Sequence, residues 1–193
     1  MSELYKGDKL LSSGSGYALE IDGFNTPEFI EFAERARKRI SENSSLEDIV
    51  ASLVDFVHQE LDKEPPLEKV PKYKQILRKL LRKERVVRVS EVLRKKKGVC
   101  KEHAALLQML LQTIEGRGSK IRSWYIRGRC GGGRHAWVAV EINDPDENGL
   151  YLADPTWNIF GPYERIKKLY KYEEGENLIF RKGRVINATF RLP

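Results

Sequence analysis

Cys100 is the residue of this chain whose position best suits a nucleophile. It stands two residues after Gly98, at the start of GVCKEHAALLQMLLQTIEGRG, a segment that predicts a helix apolar around its whole circumference. A thiol attacks carbonyls well only as a thiolate, which the free N–H groups and dipole of a helix N-terminus favour. The N–H of Cys100 would be an oxyanion donor, and Gly98 would allow a sharp turn and a close substrate approach. The alternative is a buried free cysteine that packs as a small hydrophobe.

His135 and Asp154 are predicted to lie at the same end of a hairpin. His135 opens the strand HAWVAVEIN after a glycine-rich turn, where an imidazole would be accessible as a general base. The turn DPDENG joins this strand to LYLADPTW, which brings Asp154 back to the same end. A carboxylate there can orient the imidazole and stabilise its charged form. The six-residue turn leaves the register open, and an exposed strand-edge histidine and a turn aspartate before Pro155 remain the alternatives.

Taken together, the three motifs resemble the transglutaminase-like superfamily. Its pattern is G-x-C at a helix start, an H-A-W strand and D-P-T after a short strand, matched here by GVCKEHAALL, RHAWVAVEI and ADPTW. The resemblance covers residues 90–157, and more loosely 45–160. It implies that Cys100 is the nucleophile, that His135 acts as base and then acid, and that Asp154 orients His135. It also implies a thioester acyl-enzyme, formed from an amide and passed to water or to an amine.

Departures from the family pattern bear on the activity that we expect. No Trp precedes Cys100, so Gln59, Tyr73 and Gln75 are the candidates for a second oxyanion donor. The extra domains of animal crosslinking transglutaminases are absent from the sequence, and no calcium site is evident. We therefore expect hydrolysis of amide bonds in peptides or proteins rather than crosslinking, with no metal or organic cofactor.

Cys130 permits two further interpretations. A disulfide with Cys100 would close a loop of about thirty residues; a reducing compartment disfavours it as a structural bond but leaves a redox switch possible. A zinc site from Cys100, His103, Cys130 and His135 has an acceptable Cys-x2-His pair, but the surrounding pattern is not that of a zinc ribbon. We expect Cys130 to be a bystander or a regulator.

The sequence permits two interpretations of the tryptophans and two of the glycine run. Trp124, Trp137 and Trp157 either line the cleft or belong to the core, and the core is favoured for Trp124. The run Gly131-Gly132-Gly133 is either a flap over the site or a plain surface turn.

The elements that must position these residues are predicted as helices first and strands afterwards. Thr26 caps a helix that begins at Pro27, and Ser44-Ser45 opens a second. The basic segment KYKQILRKLLRKERVV predicts an amphipathic helix with a solvated charged face, and SEVLRKKKG a short element. Strands are predicted at about 17–21, 120–127, 135–143, 150–157, 177–183 and 184–192, with a mobile turn over 127–134.

We therefore expect one α+β domain over residues 1–193. Its papain-like, transglutaminase-like core (about 98–193) would pack the nucleophile helix on an antiparallel sheet, after a helical part at about 26–97.

Composition sets the remaining expectations. The chain has 193 residues, 33% of them charged, and a net charge of +7, in the manner of a thermophile surface with many ion pairs. Nucleic acid is disfavoured as a partner because the basic runs carry acidic neighbours and no interleaved aromatics, whereas an acidic protein partner is compatible with the charge.

We expect a cytoplasmic protein without membrane segments, since no signal-like or spanning apolar run occurs. The alternative from another class is a binding module that grips acidic protein or nucleic acid through residues 69–97, with steep salt dependence and no thiol reactivity.

Overall fold

A computed structural model describes residues 5–6, 9–10, 18–22, 24–41, 44–61, 86–115, 120–181 and 184–187. Within these ranges the chain forms helices and two sheets, numbered here in chain order. The helices are α1 (Pro27–Arg37), α2 (Leu46–Glu60), α3 (Val89–Lys95), α4 (Cys100–Glu115) and α5 (Tyr163–Tyr170). The strands are β1 (Tyr5–Lys6), β2 (Lys9–Leu10), β3 (Ala18–Glu20), β4 (Val86–Arg88), β5 (Ile121–Cys130), β6 (Gly133–Asn143), β7 (Asn148–Asp154), β8 (Ile159–Pro162), β9 (Tyr172–Arg181) and β10 (Arg184–Asn187).

The first two long helices begin where the sequence predicts. The Thr26 hydroxyl accepts the N–H of Phe29 at the start of α1, and the Ser45 hydroxyl accepts the N–H of Asp48 at the start of α2. The apolar positions of α1 at helical spacing, Phe29 and Phe32 among them, are buried in the core.

The predicted basic helix is wrong at its C-terminal end. Its residues up to 85 lie outside the described part of the chain, but Val86 and Val87 belong to β4 and not to a helix. β4 pairs in parallel with β3, in a sheet of order β1-β2-β3-β4. β-branched side chains favour this extended conformation, and a pairing with residues 68 positions earlier carries no local sequence signal.

The larger sheet has the order β10-β9-β5-β6-β7-β8, with antiparallel neighbours throughout. The mobile turn predicted over residues 127–134 is wrong, because β5 runs to Cys130 and β6 resumes at Gly133. The two residues between them, Gly131 and Gly132, have φ of 56° and 82°. Positive φ at both positions gives the tight hairpin turn whose twist matches its strands, and glycine is the residue that allows it.

α4 is the central helix of the core, as the sequence predicts. Its residues 101–111 are all buried, and it packs against α2, β5 and β6. One face of β6 contributes Ala136, Val138, Val140 and Ile142 to the same core. The opposite face, with Trp137, is covered by Tyr163 of α5, a helix that the sequence analysis missed together with β8. The α+β class with a helix on an antiparallel sheet is confirmed.

No helix in the described ranges is long and apolar enough to cross a membrane.

Candidate active site

The start of α4 is fixed by one of its own side chains. A carboxylate oxygen of Glu102, which is 2% exposed, accepts the N–H of Val99 at 2.8 Å. The carbonyl of Val99 in turn accepts the N–H groups of Glu102 and His103 at 3.0 and 3.1 Å. Cys100 therefore lies in the first helical turn, where backbone N–H groups have no intrahelical acceptor and the dipole favours negative charge.

Gly98 has a packing role that the sequence analysis did not foresee. A Cβ at this position would lie 2.8 Å from Cβ of Glu102 and 3.1 Å from Cδ1 of Leu61. Contacts at this distance force a shift in the neighbouring atoms. The close approach that the glycine permits is therefore to the protein itself, and it lets Glu102 reach the N–H of Val99.

His135 and Asp154 form a buried pair. They are 8% and 0% exposed, and Nε2 of the imidazole lies 2.6 Å from Oδ2 of the carboxylate. The β6–β7 ladder ends with Val138 opposite Ala153. One further step of the same register sets Asp154 opposite Trp137, two residues from His135. The two side chains are therefore diagonal neighbours on one face of the sheet, which resolves the register that the sequence left open.

Three donors converge on the Asp154 carboxylate. Oδ2 accepts the Tyr172 hydroxyl at 2.6 Å in addition to the imidazole, and Oδ1 accepts the N–H of Thr156 at 2.9 Å. Tyr172 is 2% exposed. Burial and then the neighbouring Asp154 raise the pKa of its hydroxyl, so it stays protonated and donates. No motif in the sequence marks Tyr172 as a site residue.

The thiol of Cys100 completes the arrangement from the helix side. It lies within hydrogen-bonding reach of the His135 imidazole, and because Nε2 is taken by Asp154, Nδ1 is the nitrogen left for sulfur. Burial is the largest influence on the His135 pKa and lowers it. The hydrogen bonds with Asp154 and Cys100 and their charges outweigh burial and bring that pKa to about 9. At neutral pH the imidazole is therefore protonated where it contacts the Cys100 sulfur.

Trp157 covers the imidazole. The two rings are stacked, with centroids 4.2 Å apart and planes 8° from parallel, while Trp157 remains 46% exposed. Two hydrogen bonds from α2 hold the turn that carries Trp157. His58 Nδ1–H donates to the carbonyl of Pro155 at 2.9 Å, and the Asn158 amide donates to Asp55 at 3.1 Å. The other two tryptophans differ, since Trp137 is fully buried and Trp124 half-buried.

His103 is a second buried histidine near the site. Its Nδ1–H donates to the carbonyl of Val99 at 3.0 Å, and its charge would interact with those of Asp154, His58 and His135. Burial lowers the pKa of His103, so it is neutral at pH 7. The other two histidines of the chain, His58 and His135, thus lie close enough to His103 to influence its pKa. In the sequence, the small number of histidines, three in 193 residues, is the only feature that draws attention to them.

Cys130 is the second free thiol and lies on the Tyr172 side of the site. Its Sγ–H donates to the carbonyl of Tyr170 at 3.0 Å, and burial raises the pKa of the thiol. No group of three or more His, Cys, Asp and Glu side chains is arranged to hold a metal ion in the part of the chain that the structure describes. Cys100 and Cys130 are both free thiols in the structure.

The structure describes one of the three candidates for a second oxyanion donor, Gln59. The Gln59 amide donates to Asp55 at 2.6 Å and accepts from Arg39 at 2.7 Å, so it is engaged on the exposed side of α2. Tyr73 and Gln75 lie outside the described residues.

A thiol at the start of a buried helix, beside a His–Asp pair on an antiparallel sheet, is the arrangement of the papain-like α+β proteins. Within that class, a family model described as a transglutaminase-like domain matches residues 33–178, and the chain belongs to this family. The resemblance drawn from the three motifs is confirmed. Comparisons with curated proteins and with solved structures gave no match.

Proposed function

We propose that the protein is a cysteine-dependent hydrolase of amide bonds in peptides or proteins. One observation carries the proposal. The Cys100 thiol at the N-terminus of α4 lies within hydrogen-bonding reach of the His135 imidazole, which is itself hydrogen-bonded to the Asp154 carboxylate.

The reaction follows from this order of groups. The Cys100 thiolate attacks the carbonyl carbon and forms the C–S bond, while the Cys100 N–H donates to the oxyanion. The His135 imidazolium gives its proton to the amide nitrogen as the C–N bond breaks, and the amine leaves. His135 then takes a proton from water, the water oxygen attacks the thioester, and the C–S bond breaks to release the acid and the thiolate. Asp154 keeps the imidazole oriented and stabilises its charge in both halves.

The surroundings of the pair favour this role over a structural one. An exposed imidazole would need no partner, whereas this one is buried, protonated at neutral pH and in contact with a sulfur. Groups with strongly shifted pKa values in contact with a nucleophile are typical of active sites. Trp157 adds a wall that shields the His135–Asp154 hydrogen bond from water and so strengthens it.

Alkylation by iodoacetamide against pH, with each site mapped by mass spectrometry, tests the proposal. Cys100 is expected to react readily near pH 6, where an ordinary thiol with a pKa of ~8.5 is nearly inert. His135→Ala should abolish this reactivity and Asp154→Ala should weaken it. Cys130 is the internal comparator, because burial raises the pKa of its thiol and it should react only at high pH.

Asp144→Ala is the matched carboxylate control, since Asp144 pairs with Lys120 away from the site. If Cys100 behaves like Cys130 in all of these proteins, the proposal is wrong. If it reacts as expected, peptide and glutamine amides are the substrates to screen first.

A further inference from the structure

Two exposed aromatic side chains lie close to Tyr172, which contacts Asp154 in the site. In the described ranges the large exposed hydrophobic side chains are Ile30, Trp157, Leu169 and Tyr170, at 46%, 46%, 65% and 42%. Trp157 and Tyr170 lie at the edge of the site, and Leu169 adjoins Tyr170 in the chain. The Trp157 and Tyr170 ring centroids are 6.4 and 6.5 Å from that of Tyr172, and Leu169 precedes Tyr170 at the end of α5. A cluster of this kind indicates an interaction surface, whereas single scattered residues do not.

We propose that Trp157, Leu169 and Tyr170, here called the aromatic shelf, bind an aromatic or branched aliphatic group on the amine half of the substrate. The inference rests on the proposed function and deepens it, because it names the chemistry recognised on one side of the scissile bond.

The direction of proton transfer determines which half of the substrate contacts the aromatic shelf. His135 protonates the leaving nitrogen, so that nitrogen lies within hydrogen-bonding distance of the imidazole when the C–N bond breaks. Trp157 stacks on the same imidazole at 4.2 Å. The substituent on the nitrogen must therefore pass Trp157 first, and the shelf continues from there toward Tyr170. The acyl half lies on the other side, against Cys100 and the start of α4.

The same path serves an incoming amine. In the reverse of the first step, a neutral amine attacks the thioester carbon, its proton goes to His135, the C–N bond forms and the C–S bond breaks. The shelf therefore also selects which amines compete with water for the acyl-enzyme. The exposed lysines Lys168 and Lys171 border it, so an amine with a second positive charge is disfavoured and a neutral apolar group is preferred.

The test measures how the acyl-enzyme divides between two amines. The full chain is acylated with p-nitrophenyl acetate in the presence of equal concentrations of 2-phenylethylamine and ethanolamine, and the two acetamides are quantified by mass spectrometry. We expect the wild type to favour the phenyl amine by about tenfold, the effect of burying part of a phenyl ring. Leu169→Ser combined with Tyr170→Ser should bring the ratio to about two or less. Ile30→Ser removes an exposed apolar side chain of α1 and should leave the ratio unchanged.

The outcomes separate the two proposals. If Cys100→Ala releases p-nitrophenol and forms the amides as fast as the wild type, the proposed function fails. If acylation depends on Cys100 but the ratio is near one, or is the same in the shelf variant, the shelf inference is overturned and the hydrolase remains. The amides formed in the presence of Cys100→Ala measure the direct reaction of the ester with the amines and are subtracted. The remaining ratio counts only amides made from the acyl-enzyme, so a partly unfolded variant does not alter it. An unchanged ratio with loss of self-association in the shelf variant would instead make the shelf a protein docking surface.

Discussion

Replacing Asp154 by asparagine is expected to change the charge state of His135 at neutral pH. Asparagine keeps the shape of the side chain but removes the negative charge that faces Nε2 at 2.6 Å. Burial, the largest influence on the His135 pKa, then acts against the hydrogen bond and the charge of Cys100 only. We expect that pKa to fall from about 9 to near or below 6.5, the value of an unperturbed imidazole.

The magnitude follows from linkage between protonation and folding. The folded His135 has the higher pKa, so its contribution to stability is full below pH 6.5 and is lost as the pH rises through about 9. At about 1.4 kcal/mol per pH unit, this interval corresponds to roughly 3 kcal/mol in the free energy of unfolding. The wild type should therefore lose up to this amount between pH 6 and pH 9.5 from His135. Asp154→Asn should show a nearly flat contribution over the same range.

Two measurements check the expected His135 pKa and the expected dependence of stability on pH. Imidazole chemical shifts titrated by NMR give the pKa directly, and assignment is straightforward because the chain has only three histidines. Denaturant unfolding at a series of pH values gives the stability difference. Asp144→Asn is the control, because the pKa of that carboxyl is lowered by Lys120 and it does not titrate between pH 6 and 9.5. The reasoning is refuted if wild-type His135 titrates near 6.5, or if the two stability curves run parallel.

Three further substitutions test residues that position the elements of the site. Tyr172→Phe removes a donor to Asp154, so the carboxylate acts more strongly on the imidazole, whose pKa should rise by about half a pH unit by NMR. Gly98→Ala forces a Cβ against Glu102 and should cost about 1–3 kcal/mol in denaturant unfolding while slowing alkylation of Cys100. Glu147→Ala removes the carboxylate that accepts two N–H groups at the start of α2 and should cost about 1–2 kcal/mol.

Each of these has a matched comparison. A lower imidazole pKa in Tyr172→Phe would contradict the role given to the hydroxyl. Gly133→Ala, which adds a Cβ with no atom closer than 3.6 Å, should show neither effect of Gly98→Ala; equal effects would mean that crowding is not the cause. Glu147→Gln keeps an acceptor and should lose less than Glu147→Ala, so an equal loss would count against the cap.

The parts of the site that sequence analysis identified are those with local signals. Cys100 is marked by a glycine and a continuous apolar helix, and Asp154 by a hairpin that returns the chain to the start of its partner strand. These signals depend only on neighbouring residues and on the alternation of strands. The contact between the thiol and the imidazole depends on how α4 packs on the sheet, and no spacing in the sequence encodes that packing.

Tyr172 shows why a residue in direct contact with Asp154 was missed. It is 18 residues from Asp154 and is separated from it by β8 and α5, neither of which was predicted. Its place depends on β9 pairing with β5, where Cys130 lies opposite Tyr172 and a bulge shifts the register between Arg127 and Gly128. Such a shift moves side chains from one face of a sheet to the other, so sequence alternation alone cannot assign the face.

The expected helical part and the expected catalytic core contact each other directly in the structure. α2 belongs to the helical part, yet it is tied to the core at both ends. Glu147, in the turn between β6 and β7, accepts the N–H groups at its start, and His58 and Asp55 near its end hold the turn that carries Trp157. The family match likewise begins at residue 33, within α1. Since Trp157 stacks on His135, the orientation of the imidazole depends on a helix that ends about forty residues before Cys100 in the sequence. The helical part is therefore a structural component of the site.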